Sequence, residues 1–121
     1  MPIPKPDKAD QFAFLWRTMA PLGATVPERN FRFVRGRKLN FDFAWASRKV
    51  AIEVDGGNWM VRQNKRTGQT IPVGRHTKDG DLKKCNLAAE LGWRVLHYTP
   101  AMLDDDPQGV VLQVCRILAK R

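Results

Sequence analysis

The sequence contains few cysteines and no long apolar run. Its two cysteines, Cys85 and Cys115, belong to no Cys-x-x-Cys or Cys/His spacing, which excludes a disulfide framework and a zinc site of the usual type. Apolar residues never run to about 18, the length that a membrane-spanning helix requires, and residues 1–5 lack the apolar stretch of a signal peptide. We therefore expect an intracellular protein with free, buried thiols and no membrane partner.

Enough apolar material is present for one core. Hydrophobic residues make up 43% of the 121 residues and include four Trp and six Phe. A chain of this length and composition predicts a single folded domain over residues 1–121. Residues 1–6 contain three prolines, so we expect an extended, frayed start.

Positive charge is in excess and is concentrated in the middle of the chain. The net charge is +9, and the segment from Arg29 to Lys84 accounts for all of it, with 14 Lys or Arg against five Asp or Glu. Such a segment is typical of a protein that binds a polyanion, although a charged face that only keeps the protein in solution explains the total as well.

The apolar pattern predicts a mixed α/β domain. The predicted elements are a helix over 8–20, strands over 28–34, 39–45 and 49–55, a long basic loop over 56–76, a helix over 79–91, a strand over 93–98 and a last helix that begins at Pro107. The order αβββαβα predicts a three-stranded meander that a fourth strand extends after a crossover helix, giving a mixed sheet flanked by helices.

The alternation of the central hairpin predicts its register. If Trp45 lies opposite Val50, the apolar residues of both strands share one buried face, with Phe41 opposite Val54. A shift of one residue would scatter them over both faces. We therefore expect this register.

The same register gathers carboxylates on the other face. Asp42 lies opposite Glu53, and Asp55 follows two residues later. Neighbouring carboxylates repel, so a cation should lie among them, and oxygen ligands of this kind suit Mg²⁺, for which Mn²⁺ can substitute. The alternative is an ion-pair network in which nearby bases such as Arg48 and Lys49 neutralise these acids.

Two later side chains are of the types that phosphodiester hydrolysis uses. Lys84, near the start of the helix after the basic loop, is placed to reach the carboxylate face, and His76 precedes that helix. A cation or acid beside a metal can orient the attacking water or protonate the departing oxygen. Taken singly, Lys84 is as easily a solvated helix lysine and His76 a loop hydrogen-bonding residue.

Several segments together resemble the PD-(D/E)XK nuclease superfamily, whose fold is the restriction-endonuclease-like fold. The closer resemblance is to small phage and prophage endonuclease-like proteins related to the very-short-patch-repair-like nucleases, and it extends from about Glu28 to Leu103. The segments that carry it are Phe41-Asp-Phe-Ala-Trp45, Val50-Ala-Ile-Glu-Val-Asp-Gly-Gly57, Gly74-Arg-His-Thr77, Asp81 to Asn86, Gly92-Trp-Arg-Val-Leu96 and Thr99-Pro-Ala-Met-Leu103.

The resemblance implies that Asp42 corresponds to the superfamily's first aspartate and Glu53 to the acid of its second motif. With Asp55, the third acid of the predicted cluster, they are the expected catalytic and metal-binding residues. Asp55 stands where the superfamily usually has its catalytic lysine. In related variants a neighbouring helix supplies that lysine, which implies Lys84, with Lys83 as second choice. A histidine role falls to His76, because Trp59 stands where many relatives have one.

The remaining roles implied by the resemblance are less specific. The first helix of relatives often contributes an acid, which here is Asp10 or, less directly, Glu28. Trp59 is a candidate for stacking on bases or for burial in the loop.

We therefore expect a metal-dependent DNA endonuclease. The residues expected to bind DNA phosphates are Arg62, Lys65, Arg66, Arg75 and Lys83. If the substrate is a four-way junction, paired cuts require a homodimer. The other hypotheses are a nuclease that nicks at mismatches or particular sequences, and a nucleic-acid-binding protein that keeps the fold without catalysis.

Overall fold

The computed structural model describes residues 7–55, 61–63, 66, 70–72 and 79–120. Its elements are α1 (Lys8–Met19), β1 (Glu28–Arg32), β2 (Asn40–Trp45), a 3₁₀ turn (Ala46–Arg48), β3 (Val50–Val54), β4 (Val61–Gln63), β5 (Thr70–Pro72), α2 (Asp79–Glu90), β6 (Arg94–Tyr98), α3 (Pro100–Asp105) and α4 (Pro107–Ala119). The predicted frayed start over 1–6 lies outside the described residues.

Four strands form the main sheet, in the order β1-β2-β3-β6. β1, β2 and β3 are antiparallel neighbours, whereas β6 lies parallel to β3 after the crossover through α2. The prediction of a mixed sheet, with a fourth strand added to a meander, is therefore confirmed. The predicted hairpin register is also observed, since Trp45 pairs with Val50.

Helix α1 begins at an N-terminal cap formed by Asp7 and Asp10. The Asp7 carboxylate accepts a hydrogen bond from the Ala9 amide, and the Asp10 carboxylate accepts one from the Asp7 amide, each at 3.2 Å. These bonds satisfy amides that have no partner within the helix. From this start, Phe12 and Trp16 are one turn apart and both are buried.

One face of the sheet, which we call the packed face, holds most of the large apolar side chains. It is covered by α1, α3 and α4, and the ring of Phe12 lies 4.9 Å from that of Phe43. Its most completely buried members are Phe12, Phe43, Val50, Ile52, Val54, Leu103 and Val114. Burial of side chains of this size contributes roughly 1.5–3 kcal/mol each, so this face supplies most of the stability.

The opposite face, which we call the site face, is covered by α2 and has smaller side chains. Ala44, Ala51 and Ala88 are buried there together with Phe41. Ala51 of β3 and Ala88 of α2 pack in the same buried cluster, so small side chains lie between the helix and the sheet there. Beside them, Lys84 of α2 reaches Glu53 of β3.

The predicted position of Phe41 on the packed face is wrong. Its ring stacks on that of Phe33, with centroids 4.1 Å apart, and contacts Trp93 on the site face. Strict alternation would place Phe41 on the same face as Phe43, so β2 changes its facing between these two residues.

The change of facing occurs in β1 and β2 together. Asn30 has a φ of 51°, in the left-handed region that asparagine tolerates better than most residues. Pairing between the strands is interrupted opposite it, at Asp42, and resumes in the same register. A local reversal at one asparagine is invisible to a period-two pattern, which explains the error.

Two further elements differ from the predictions. The segment over 56–76 contains the antiparallel pair β4 and β5, so it is not a loop throughout. The short helix α3 was not predicted; Thr99 caps it by accepting from the Met102 amide at 3.2 Å. Strands of three residues and a helix of six show too little periodicity for prediction.

No helix in the described part of the chain has both the length and the apolar character needed to cross a membrane.

Candidate functional site

The end of β3 presents two carboxylates on the site face. Glu53 is two residues beyond the buried Ala51 and shares its face, while Asp55 follows directly after the strand. The Asp55 amide donates to the carbonyl of Tyr98 at 2.9 Å, which fixes the backbone there. Asp55 is 5% exposed, and it is the only buried charged residue in the described ranges.

Lys84 of α2 contacts the first of these carboxylates. Its Nζ donates to Glu53 Oε1 at 2.5 Å and to the carbonyl of Asn40 at 2.6 Å, and it lies over the Phe41 ring. The two charged side chains are only 23% and 15% exposed, so the pair is shielded from bulk water. Lys83, by contrast, is exposed.

His97 is a member of the site that the sequence did not reveal. The parallel register pairs Glu53 with His97, and His97 Nδ1 lies 2.9 Å from Asp55 Oδ2. The available signal was its place in the strand 93–98, where alternation sets it on the same face as Val95. Without knowing that β6 lies beside β3, the sequence could not connect it to Glu53.

Asp42 lies at the edge of this group. Its Oδ2 accepts a hydrogen bond from the Val54 amide at 2.7 Å, so the side chain bridges β2 and β3 beyond their last recorded pair, Phe43 and Ile52. Its negative charge still reaches Glu53 and adds to the rise in that residue's pKa. Asp42 thus has a structural partner while remaining electrostatically part of the site.

The charges of the site act on each other. Burial raises the pKa of Glu53, Lys84 opposes that rise, and the carboxylates of Asp42 and Asp55 add to it. The hydrogen bond with Asp55 raises the pKa of His97, against the opposing effect of burial. The arrangement favours a proton on His97 and makes full ionisation of Glu53 costly, so an added cation would relieve the repulsion.

These side chains line a cavity of about 300 Å³ between α2 and the sheet. One end is polar and holds Glu53, Asp55, Lys84 and His97. The remainder is apolar, with Trp93 and Phe41 among its lining residues. A charged end beside an apolar wall is a common form for a ligand site.

No family model, curated protein or solved structure matches this chain. The site must therefore be judged on its own geometry.

Two carboxylates of the site, Glu53 and Asp55, are suitable ligands for a hard divalent cation. Glu53 and Asp55 both line the cavity, and Mg²⁺ usually takes one or two protein carboxylates and completes its shell with waters or phosphate oxygens. Within the described ranges, no three or more His, Cys, Asp or Glu are grouped to hold a metal ion. The three-ligand set with Asp42 therefore stays a prediction.

The other predicted site residues are placed as follows. Lys65, Arg75, His76 and Trp59 lie outside the described residues. Arg62 is on β4, and Arg66 is an exposed turn residue. Asp81, which begins a segment that carries the resemblance and has no role implied by it, is in the first turn of α2.

Asp10 and Glu28, the predicted acids near the first helix, do not line the cavity. Asp10 pairs with Arg29, with Oδ1 and Nη1 2.6 Å apart, and this hydrogen bond lowers the pKa of Asp10. Its observed contacts are a helix cap and an ion pair. Glu28 is an exposed residue at the start of β1.

Proposed function

We propose that this protein is a metal-dependent endonuclease that hydrolyses phosphodiester bonds in DNA. The observation that supports this most is the contact between Lys84 and Glu53 inside a cavity that Asp55 also lines. A lysine from α2 thereby occupies the neighbourhood that the superfamily's lysine occupies when it follows the strand acid. The resemblance implies that a lysine from a neighbouring helix takes the role of the usual lysine, for which Asp55 stands here, and the contact of Lys84 with Glu53 supports that role.

The restriction-endonuclease-like fold is part of this proposal. It is supported by the four-stranded sheet in which β6 lies parallel to β3 and helices cover both faces. In that arrangement the carboxylates lie where β3 ends, beside the crossover helix.

Each residue has a proposed role. Glu53 and Asp55 hold Mg²⁺, with Asp42 supporting them through charge and through the Val54 amide. When bound, the ion would activate water and offset the charge that develops on the phosphate. Lys84 orients the attacking water or the scissile phosphate through its ammonium, which is shielded from bulk water and contacts Glu53.

Branched DNA, including four-way junctions, is the substrate class we place first, in the manner of small phage nucleases. Paired cutting of a junction would require a homodimer. Nicking at mismatches or at particular sequences remains the alternative within the enzyme class.

One observation favours a second candidate, a nucleic-acid-binding protein without catalysis. Each carboxylate of the site has a partner within the chain: the Val54 amide for Asp42, Lys84 for Glu53, and His97 for Asp55. Such a network can be purely structural. Metal-dependent turnover separates the two candidates.

The test is cleavage of a panel of linear, mismatched and four-way-junction DNAs in Mg²⁺, in Mn²⁺ and in EDTA. We expect strand cleavage with either metal and none in EDTA. The variant Lys84→Met should lower the cleavage rate about 10²–10⁴-fold, the usual contribution of a positioned acid–base group, because the shielded ammonium is lost.

The matched control is Lys8→Met, at an exposed lysine of α1. It should cut at the parent rate. DNA binding without cleavage of any substrate in either metal would instead favour the second candidate. Unchanged cleavage by Lys84→Met would show that Lys84 has no role in catalysis.

A further inference from the structure

The tip of the β1–β2 hairpin has a concentration of positive charge that the site does not use. No acidic residue occurs between Arg29 and Phe41. The four cations of the tip, all exposed, are Arg32, Arg35, Arg37 and Lys38. We call this group the hairpin cations.

The hairpin cations differ from the basic residue at the other end of β1. Arg29 pairs with Asp10 and Asp7 and lies over the Phe43 ring. Among the described residues, no carboxylate lies within ion-pair distance of any hairpin cation. Four like charges within seven residues repel one another, and a polyanion would relieve that repulsion.

Backbone hydrogen bonds close the turn of this hairpin, and two of its rings, Phe33 and Phe41, contact Trp93 on the site face. The Phe33 amide donates to the Leu39 carbonyl at 3.1 Å, and the Arg37 amide donates to the Val34 carbonyl at 3.3 Å. Gly36 supplies the positive φ of 78° that the turn requires. Next to the turn, the Phe33 ring stacks on the Phe41 ring, so the charged tip adjoins a pair of packed aromatic side chains.

The end of this hairpin next to the tip also contacts the site. Lys84 Nζ, which pairs with Glu53, donates to the carbonyl of Asn40, and Asn40 pairs with Arg32 across the strands. From Asn40 to the turn at Gly36 is four residues, which span at most about 13 Å because part of the segment is turn. That length equals about four base-pair steps of a duplex at 3.4 Å each.

We propose that the hairpin cations form a second DNA-contacting surface, distinct from the basic segment over 56–76, that binds phosphates of the duplex within about four base pairs of the scissile bond. The surface gives affinity and register without base specificity, because point charges bind phosphates of any sequence. This inference rests on the proposed function, whose substrate it positions.

The test compares two variants of the full chain that lose the same charge. The hairpin variant carries Arg32→Gln, Arg35→Gln, Arg37→Gln and Lys38→Gln. The control variant carries Arg17→Gln, Arg48→Gln, Arg116→Gln and Lys120→Gln, at exposed residues outside the hairpin and the cavity. Binding to a 30-base-pair duplex is measured in EDTA as a function of salt, and thermal unfolding is recorded for each protein.

We expect the hairpin variant to lose about 3–4 units from the slope of log affinity against log salt, close to one per phosphate contact. The control variant should lose less than about one, since charges beyond a Debye length are screened. A third variant, with lysine at the three arginine positions, keeps the charge and should keep the slope even if glutamine there disturbs folding.

Equal slope losses in the hairpin and control variants would overturn the inference, as would a loss in the lysine variant equal to that of the glutamine variant. These outcomes leave the proposed function intact if the parent chain cuts DNA in Mg²⁺. If the parent neither binds nor cuts DNA, both proposals fail.

Discussion

The two faces of the sheet divide stability from chemistry. The packed face has large apolar side chains under three helices. The site face has alanines under one helix, and beyond them a group of four charged or titratable side chains. The comparison shows that a chain of this size can tolerate a partly buried charge cluster on one face because the other face supplies the hydrophobic stabilisation.

The alanines of the site face also explain how the cluster forms. Ala51 and Ala88 are 0% and 1% exposed and pack in one cluster, so the strand and the helix meet there through small side chains. Lys84, one turn before Ala88, then reaches Glu53, two residues after Ala51. Small residues in the core of this face thus position the proposed catalytic pair.

The largest expected effect on stability is on the packed face. Replacing Phe12 with Ala should lower the free energy of unfolding by about 3–5 kcal/mol, because it removes a fully buried ring that contacts Phe43. Urea denaturation measures it. The control is Phe14→Ala in the same helix, where the ring is 60% exposed and the change should be about 0.5 kcal/mol or less. Comparable losses in the two variants would contradict the assignment of the core.

A smaller effect is expected where the site face is filled. Ala51→Leu should cost about 1–3 kcal/mol, because Ala51 is fully buried in the cluster with Phe41 and Ala88, and the added atoms would displace these neighbours. It should also lower cleavage by separating Lys84 from Glu53. Ala46→Leu, at an exposed alanine of the 3₁₀ turn, is the control for both readings. If Ala51→Leu slowed cleavage no more than Ala46→Leu, the packing of α2 against Ala51 would have no effect on activity.

The smallest effect is a pH dependence that belongs to the site face. The pKa of His97 is raised in the folded protein, so the folded state holds the proton more tightly than the unfolded chain. The stabilisation from this group is complete below about pH 6.5, the ordinary value for histidine, and is lost as the pH rises through the folded pKa.

The measurement is the stability difference between the parent chain and His97→Asn in EDTA from pH 5.5 to 9. The parent's advantage should shrink as the pH rises, by a small amount because the His97 side chain is 39% exposed. A difference that stays constant, or grows with pH, would show that Asp55 does not hold a proton on His97.

The sequence predicted the sheet and much of the site for physical reasons. The alternation of Trp45, Val50 and their neighbours leaves one register that buries the apolar residues, and that register brings Asp42 to Glu53. The helix predicted after the basic loop placed a lysine within reach of the carboxylate face, and the resemblance implied Lys84, which contacts Glu53 in the structure.

The predictions failed where tertiary contacts decide. The reversal of β2 depends on the backbone of a single residue, Asn30, and moved Phe41 to the site face. His97 joins the site only because β6 pairs with β3 in one parallel register. Neither fact leaves a periodic signal, since one is a local conformation and the other a contact between residues far apart in the chain.

The most direct test of the account is to compare Glu53→Gln with Glu90→Gln, an exposed glutamate of α2, in cleavage and in unfolding. Glu53→Gln removes a carboxylate that burial and its neighbours already disfavour, so its free energy of unfolding should change by about 1 kcal/mol or less. Mg²⁺-dependent cleavage should fall at least about 10³-fold while DNA binding is kept, since the proposed metal ligand is lost. Glu90→Gln should leave both unchanged. Cleavage by Glu53→Gln at the parent rate would contradict the central claim, which is that Glu53 of β3 and Lys84 of α2 belong to the active site.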